Sequence, residues 1–233
     1  MKTTDEIKSN IIKDSIRISS RRSLASEIVS ALRELILLEK LKPGLAFSER
    51  DLAAGLGVSR TPLKEAIRIL ENEGLIEYGA TRRPRVANPS IEEIKHNFQV
   101  LGSLEALAGE NCCSFATDEE IEELSRMQIQ MKLNEKKSDN IEYFQMDMLF
   151  HSTIVKYSRN KPLFVTHEQY NSRLWRARYI SSKLRGERNR NLGQHIDIVE
   201  AIKRRDPRDT ATQLRRHLET AITNVTIALS NKE

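Results

Sequence analysis

No apolar run in this chain approaches the roughly 20 residues that span a bilayer, and the polar N-terminus does not resemble a signal peptide. These absences predict neither a membrane span nor a secretory leader, and a cytoplasmic location is expected. Cysteine is scarce: Cys112 and Cys113 are the only two, adjacent in sequence. Neighbours are poorly placed to bridge one another, and a single pair makes no disulfide scaffold. The chain also has no Gly-rich phosphate loop, no H-E-x-x-H and no nucleophile elbow, which removes three common signatures of nucleotide binding, zinc peptidases and serine hydrolases. Internal repeats and low-complexity tracts are missing as well. What is left is 233 residues of ordinary globular composition, 39% hydrophobic and 30% charged, enough for two domains with separate cores.

The net charge of +5 is unevenly spread. Residues 1–88 hold 16 Lys/Arg against 12 Asp/Glu, and the remainder holds 22 against 21. The cationic excess therefore lies in the N-terminal part, as expected if that part meets phosphates. Within it, Ser48 to Gly79 reads as two short helices joined by a tight turn, followed by a hairpin. Ser48 is an N-cap residue with Glu49 and Asp51 in the first turn, where the helix dipole favours acids. Gly55-Leu56-Gly57 breaks that helix. Ser59 then caps a second one, with Pro62 in its first turn and Leu63, Ala66, Ile67 and Leu70 on one face. This is the pattern of a helix-turn-helix, whose second helix can enter a DNA major groove. Ser59, Arg60, Thr61 and Lys64 sit at the start of that helix and suit base edges and phosphates.

Residues 1–22 are polar and weakly periodic, which predicts a flexible arm with a short helical turn around Ile11 to Ile18. Leu24 to Leu38 has helical spacing and ends at Lys42-Pro43-Gly44. After the second helix of the motif, Gly74 is in a C-cap position. Leu75–Tyr78 and Arg85–Ala87 read as two strands around a basic loop with Arg82 and Arg83, like the wing of a winged helix. Asn88-Pro89-Ser90 is a domain boundary, giving a DNA-binding unit over 23–88 and a second domain over 89–233. That second domain reads as helices over 90–114, 118–136, 139–158, 161–183, 188–205 and 207–230. Ser90/Glu93 and Thr117/Glu120 are capping boxes, Asp139 begins the third segment, and Pro162 and Pro207 mark helix starts. The expected fold class is mainly α: a winged helix-turn-helix with a small β-hairpin, then an antiparallel all-helical bundle of about six helices.

Asp147 and His151 are four residues apart and point the same way on one helix, the face shared by Phe144, Met148 and Ile154. His195 lies beside Leu192, Ile196 and Val199, and His217 among Leu214, Leu218 and Ala221. One carboxylate and three imidazoles thus project inward, where each needs a partner. A divalent cation satisfies all four at once; so do ordinary hydrogen bonds in a helical core, and spacing alone leaves both open. The ligand set suits zinc, nickel, iron or manganese, and the lack of thiolates removes the strongest pointer to zinc alone. Zinc is placed slightly ahead of the others, at one ion per chain. His96 and His167 lack a comparable arrangement. Arg173, Arg176 and Arg178 surround Trp175; Arg173 and Arg176 are the candidates for holding an anionic small molecule, with ion pairs or a solvated face as the alternative. Lys203-Arg204-Arg205 reads as a helix C-terminus complementing its own dipole.

The stretches LKPG, SERDLAAGLGVSRTPLKEAIRILENEGLIE, Asp147-x-x-x-His151, His195 before IVEAI, Asp206 and His217-Leu218 resemble the GntR family of bacterial transcription regulators, in its FadR-like branch with an all-helical FCD ligand-binding domain. The resemblance covers nearly everything after residue 22. It implies a homodimer formed largely through the helical domain and an inverted-repeat operator. It also implies DNA binding altered by a small organic acid bound beside a divalent metal held by Asp147, His151, His195 and His217. Arg50, Arg60 and Lys64 match positions that contact DNA, with Ser59 and Thr61 at small polar positions around them. Lys64 stands where Arg is common, and a glycine common near the wing tip is replaced within Arg82-Arg83-Pro84. Leu101 occupies the place, three residues before Leu104-Glu105, where an arginine often holds an effector carboxylate. The effector is then less acidic, held by another arginine, or absent. The expected function is a ligand-responsive DNA-binding regulator, a repressor rather than an activator. The alternatives are a regulator whose signal is the metal itself and, more remotely, a metal-dependent hydrolase.

Overall fold

A computed structural model describes residues 23–79, 82–135, 140–183 and 187–230. The N-terminal arm, its turn around Ile11 to Ile18 and the helix start at Asp139 lie outside the described residues. The N-terminal unit consists of α1 (Leu24–Leu37), α2 (Glu49–Leu56), α3 (Arg60–Asn72), β1 (Ile76–Tyr78) and β2 (Pro84–Val86). Ser23 caps α1 by accepting from Ser26 N–H, and Ser48 caps α2 by accepting from Asp51 N–H. Such a cap contributes about 1 kcal/mol. The turn between α2 and α3 depends on Gly57, whose φ of 67° is the left-handed conformation that L side chains resist. Ile28, Leu32 and Ile36 of α1 pack against Leu63, Ile67 and Leu70 of α3, and Ile76 and Val86 close the same core.

The hairpin pairs Ile76 with Val86, Glu77 with Arg85 and Tyr78 with Pro84. It gains a third line of backbone that sequence periodicity did not reveal: Ala46 bridges Arg85, and Val86 N–H donates to Leu45 C=O at 3.0 Å. The loop leaving α1 is thereby stitched to the wing. Ser59 departs from its expected role, because its side chain makes no capping hydrogen bond at the start of α3.

The second unit is a helical bundle: α4 (Ile91–Phe115), α5 (Asp118–Asn134), α6 (Asn140–Tyr157), α7 (Lys161–Arg173), α8 (Trp175–Ser182), α9 (Glu187–Lys203) and α10 (Pro207–Ser230). Both expected capping boxes are present, at Ser90/Glu93 and Thr117/Glu120. α4 and α10 approach closely through Gly109, where an added Cβ would stand 2.5 Å from Leu214 Cδ1. The expected single helix over 161–183 is instead two. It breaks at Leu174, which is buried, with φ −90° and ψ 2°. No Pro or Gly marks the break; tertiary packing of Leu174 beneath α4 and α10, alongside Phe98, Leu101 and Leu218, sets it. Arg205 also departs from expectation. It adopts φ 51° and donates to Cys113 C=O at 2.9 Å and Ala116 C=O at 3.0 Å, so it caps α4 rather than its own helix. No helix among the described residues is long and apolar enough to cross a membrane.

Candidate metal centre and nucleic-acid interface

Helix α6 carries Asp147 and His151 one turn apart, α9 carries His195, and α10 carries His217. Each offers one ligand atom, and the four atoms all lie within 4.8 Å of one another. His195 is fully buried although its neighbour Ile196, expected on the same inward stripe, is exposed; Leu192 and Val199 are the apolar residues that seat its turn. His151 Nε2 lies 3.2 Å from His217 Nε2, and His195 Nε2 lies 3.2 Å from Asp147 Oδ1. The second contact is off the line of a hydrogen bond, and Asp147 Oδ1 and His195 Nε2 are buried with no hydrogen-bond partner among the described residues.

The far sides of two rings are held. His151 Nδ1 is 2.7 Å from Glu105 Oε2, and His217 Nδ1 is 2.9 Å from Gln194 Oε1, whose amide nitrogen donates to Thr220 Oγ1. Carboxylate and amide oxygens accept, so each Nδ1 carries a proton, and in the neutral rings each Nε2 then turns a lone pair toward the other. Two lone pairs at 3.2 Å repel unless a cation lies between them. Ligands about 2.1 Å from a shared ion stand roughly 3.0–3.5 Å apart, which matches the two closest pairs. Unpartnered ligand atoms, fixed tautomers and spacing therefore all fit a divalent metal, with Glu105 and Gln194 as the outer groups that orient the imidazoles.

Around this centre lies a buried polar cluster. Arg178 Nη1 donates to Glu105 Oε1 at 3.1 Å and to Asn171 Oδ1 at 2.9 Å, while its Nη2 is 3.6 Å from Asp147 Oδ2. His167 Nε2 is 3.4 Å from Glu105 Oε1. Burial pushes the Glu105 carboxyl up, but the charges of His151 and Arg178 and the hydrogen bonds from His151 and His167 outweigh it and hold the group well below its ordinary value. Burial likewise works against the Asp147 carboxylate, and the close approach of His195, with the charges of His151, His195 and Arg178, still keeps it ionised. His217 is pushed well below its usual value by burial and then by His195 and His151. His151 is lowered too, chiefly by burial. Burial thus favours the neutral form of both rings, the form that can ligate a metal.

Arg173 and Arg176 are not brought to this centre. Arg173 is exposed and lies over the Tyr170 ring and against Gly74 of the N-terminal unit. Arg176 Nη2 pairs with Glu39 Oε1 at 2.8 Å. Both leave α7–α8 on the side facing the winged helix. Arg178, two residues beyond Arg176, is the member of the trio that faces inward. Its pairing with Glu105 crosses 73 residues of sequence, and no spacing signal links the two. His96 is exposed beside Glu92. Leu101 is fully buried with Phe98 and Leu174, an apolar residue in an apolar place.

In the N-terminal unit, Ser59, Arg60, Thr61 and Lys64 are all exposed at the start of α3, and Arg68 extends the same stripe by a further turn. Arg50 is exposed on α2, 3.3 Å from Asp51. Arg82 and Arg83 are exposed beside the hairpin, and Arg82 adopts φ 54°. The conformation that a glycine would supply is kept, with an arginine in it.

A helix-turn-helix with a basic stripe on its second helix, joined to a helical bundle enclosing a His/Asp cluster, is the architecture of a two-domain DNA-binding regulator. The sequence comparisons agree. Residues 24–86 match the bacterial regulatory proteins of the gntR family, and residues 96–220 match the FCD domain. The chain belongs to the GntR family of transcription regulators, in the group that carries an FCD domain. It is 27% identical over 221 residues to the transcriptional repressor NanR of Enterobacter sp. (strain 638), covering 85% of this chain and 84% of that protein. It is 23% identical over 203 residues to the transcriptional repressor RspR of Escherichia coli K12, covering 87% and 89%. Among solved structures, E. coli McbR/YncC shares the fold with a TM-score of 0.74 at 19% identity, over 91% of this chain and 100% of that one. The hydrolase alternative falls away: family and relatives are regulators, not enzymes.

Proposed function

We propose that this regulator is a homodimeric repressor whose hold on an inverted-repeat operator is set by what binds in the helical domain. Asp147, His151, His195 and His217 hold one divalent ion there, zinc ahead of nickel, manganese or iron. The observation that carries this reading is the 3.2 Å approach of His151 Nε2 to His217 Nε2, flanked by Asp147 Oδ1 and His195 Nε2, which are buried without a hydrogen-bond partner among the described residues. When bound, such an ion supplies a Lewis-acid position at which the oxygen of a small organic acid can be held. The chain's own residues do the rest: Glu105 and Gln194 orient the rings, and Arg178 is the cation that borders the site. Arg50, Ser59, Arg60, Thr61, Lys64, Arg82 and Arg83 meet DNA, the α3 residues in the major groove.

One observation favours a second reading in which the metal itself is the signal. Arg178 is already held by Glu105, Asn171 and Asp147, and Leu101 offers no charge, so an incoming carboxylate finds no free cation among these residues. The two readings separate in one titration. Operator affinity of EDTA-treated protein is followed by fluorescence anisotropy as zinc, then manganese, then candidate acids are added. A shift with metal alone supports the second reading, and a shift that needs an acid supports the first. No shift under either condition rejects ligand control. Metal analysis of Asp147→Ala and His195→Ala tests the ligand set, since retained stoichiometry rejects it.

A further inference from the structure

Helix α8 is only eight residues long, yet it touches both halves of the molecule. Its inner face carries Arg178, which joins Glu105 of α4, Asn171 of α7 and Asp147 of α6. Its first residues face the DNA-reading unit. Arg176 pairs with Glu39, the residue at φ 56° where the chain leaves α1. Trp175 packs against the core of the winged helix and also against Phe144, with ring centroids 4.9 Å apart in an edge-to-face arrangement. Phe144 and Met148, which bracket Asp147 on α6, form one buried cluster with Tyr179 of α8 and Leu37 of α1.

We infer that α8 is the link between the centre and the DNA-reading unit: Arg178 positions it from the bundle side, and Trp175 and Arg176 pass that position to the end of α1. The helix is a separate short element, set off from α7 by the break at Leu174 and ending in its own cap at Lys183. A rearrangement of the oxygens around Arg178 requires α8 to shift, since a buried guanidinium cannot leave its carboxylates unpaired without large cost. Any such shift moves Trp175 against Leu37 and Phe144. Arg178, Arg176 and Trp175 are positioning residues; none of them need touch DNA.

This inference rests on the reading that the bundle controls DNA binding, and its test uses no ligand, so the two can fail separately. Trp175 is the only tryptophan in the chain, and its emission reports this junction directly. EDTA-treated full-length wild type, Arg178→Gln, Arg176→Gln and the double variant are compared for Trp175 emission and for affinity to an operator duplex selected from random DNA. Arg178→Gln is expected to shift the emission and to change operator affinity by about fivefold or more, the lower range of coupling between distinct sites. In the Arg176→Gln background the same substitution is expected to change affinity by less than about twofold, a non-additivity that marks a shared path. Arg178→Lys, which keeps the cation, is expected to lie between wild type and Arg178→Gln. Unchanged emission in Arg178→Gln, or effects that multiply independently, overturns the link. Should Arg178→Gln fail to fold, Asn171→Ala removes an acceptor of the same guanidinium and is read by the same criteria. A wild-type chain that binds no metal but shows the non-additivity overturns the metal reading and upholds the link.

Discussion

His151 and His217 present Nε2 to one another at 3.2 Å in stacked rings tilted by only 19°, each with its other nitrogen against an oxygen acceptor. Between neutral rings such a pair is repulsive, and a bridging metal ion turns it stabilising. Zinc or manganese added to EDTA-treated protein is therefore expected to raise the melting temperature. At a hundred times Kd the gain is about 2.7 kcal/mol, or several degrees for a chain of this size. Scanning fluorimetry checks this. The rise should vanish in Asp147→Ala and His195→Ala, and an equal rise in those variants would remove the four residues from the ligand set.

The same burial sets a pH dependence for the metal-free chain. His217 and His151 have folded-state pKa values below the ordinary histidine value, while in the unfolded chain each takes up a proton near pH 6.5. The unfolded state then binds more protons, so stability falls as pH drops through about 6.5. Glu105 has a lowered pKa instead, so its contribution is present above the ordinary carboxylate range and is lost as pH falls through its lower folded value. Both slopes have the same sign. Denaturant melts in EDTA between pH 8 and 5 should show a midpoint that declines on acidification, with the decline beginning near pH 6.5. A midpoint independent of pH above 5 would contradict the assigned neutral rings.

The DNA-reading unit and the four inward polar side chains were legible in the sequence because their signals are local. Ser48 before an acidic first turn, Gly57 after Leu56, and Asp147 four residues before His151 each declare themselves within a turn or two of chain. The break at Leu174 carries no such mark. It exists because Leu174 has a buried place between α4 and α10, a fact contributed by residues roughly 70 positions before and 45 after it. The choice of Arg173 and Arg176 over Arg178 rests on no signal for which side of Trp175 faces inward. Helical spacing puts Arg178 on the face opposite Arg176, but which face turns inward is decided by partners such as Glu105 and Glu39, distant in sequence. Arg205 was read as serving its own helix for the same reason: its true acceptors, Cys113 and Ala116 C=O, belong to a helix about 90 residues earlier.

Arg82 gives a test of the wing. Its φ of 54° carries the strain that a non-glycine residue meets in the left-handed region, about 1 kcal/mol. Arg82→Gly relieves that strain and adds some freedom to the unfolded chain, so the two partly cancel. The fold is expected to be unchanged or slightly more stable. Operator affinity should nevertheless fall, and the slope of log affinity against log salt should shrink by about 0.9 if one phosphate contact is lost. Paired melting and salt-titration measurements decide it; a destabilised fold with unaltered DNA binding would mean the arginine serves the hairpin alone.

Arg60 and Lys64 lie on one exposed stripe of α3, one turn apart, but their head groups predict different losses. Arg60 can present a planar fork to a guanine edge, whereas Lys64 is a point charge without that geometry. Arg60→Ala should cost about 1–3 kcal/mol on the operator and much less on random DNA, so the preference between them narrows. Lys64→Gln should weaken both by similar factors and reduce the salt slope by about 0.9, as expected for a phosphate contact. Ser59 adds a third case, because its exposed hydroxyl makes no capping bond. Ser59→Ala should then leave the melting temperature unchanged while lowering operator affinity. Anisotropy titrations on operator and random duplexes at several salt concentrations separate the three. Equal losses on both duplexes for Arg60→Ala would remove it from base recognition and leave it a phosphate contact like Lys64.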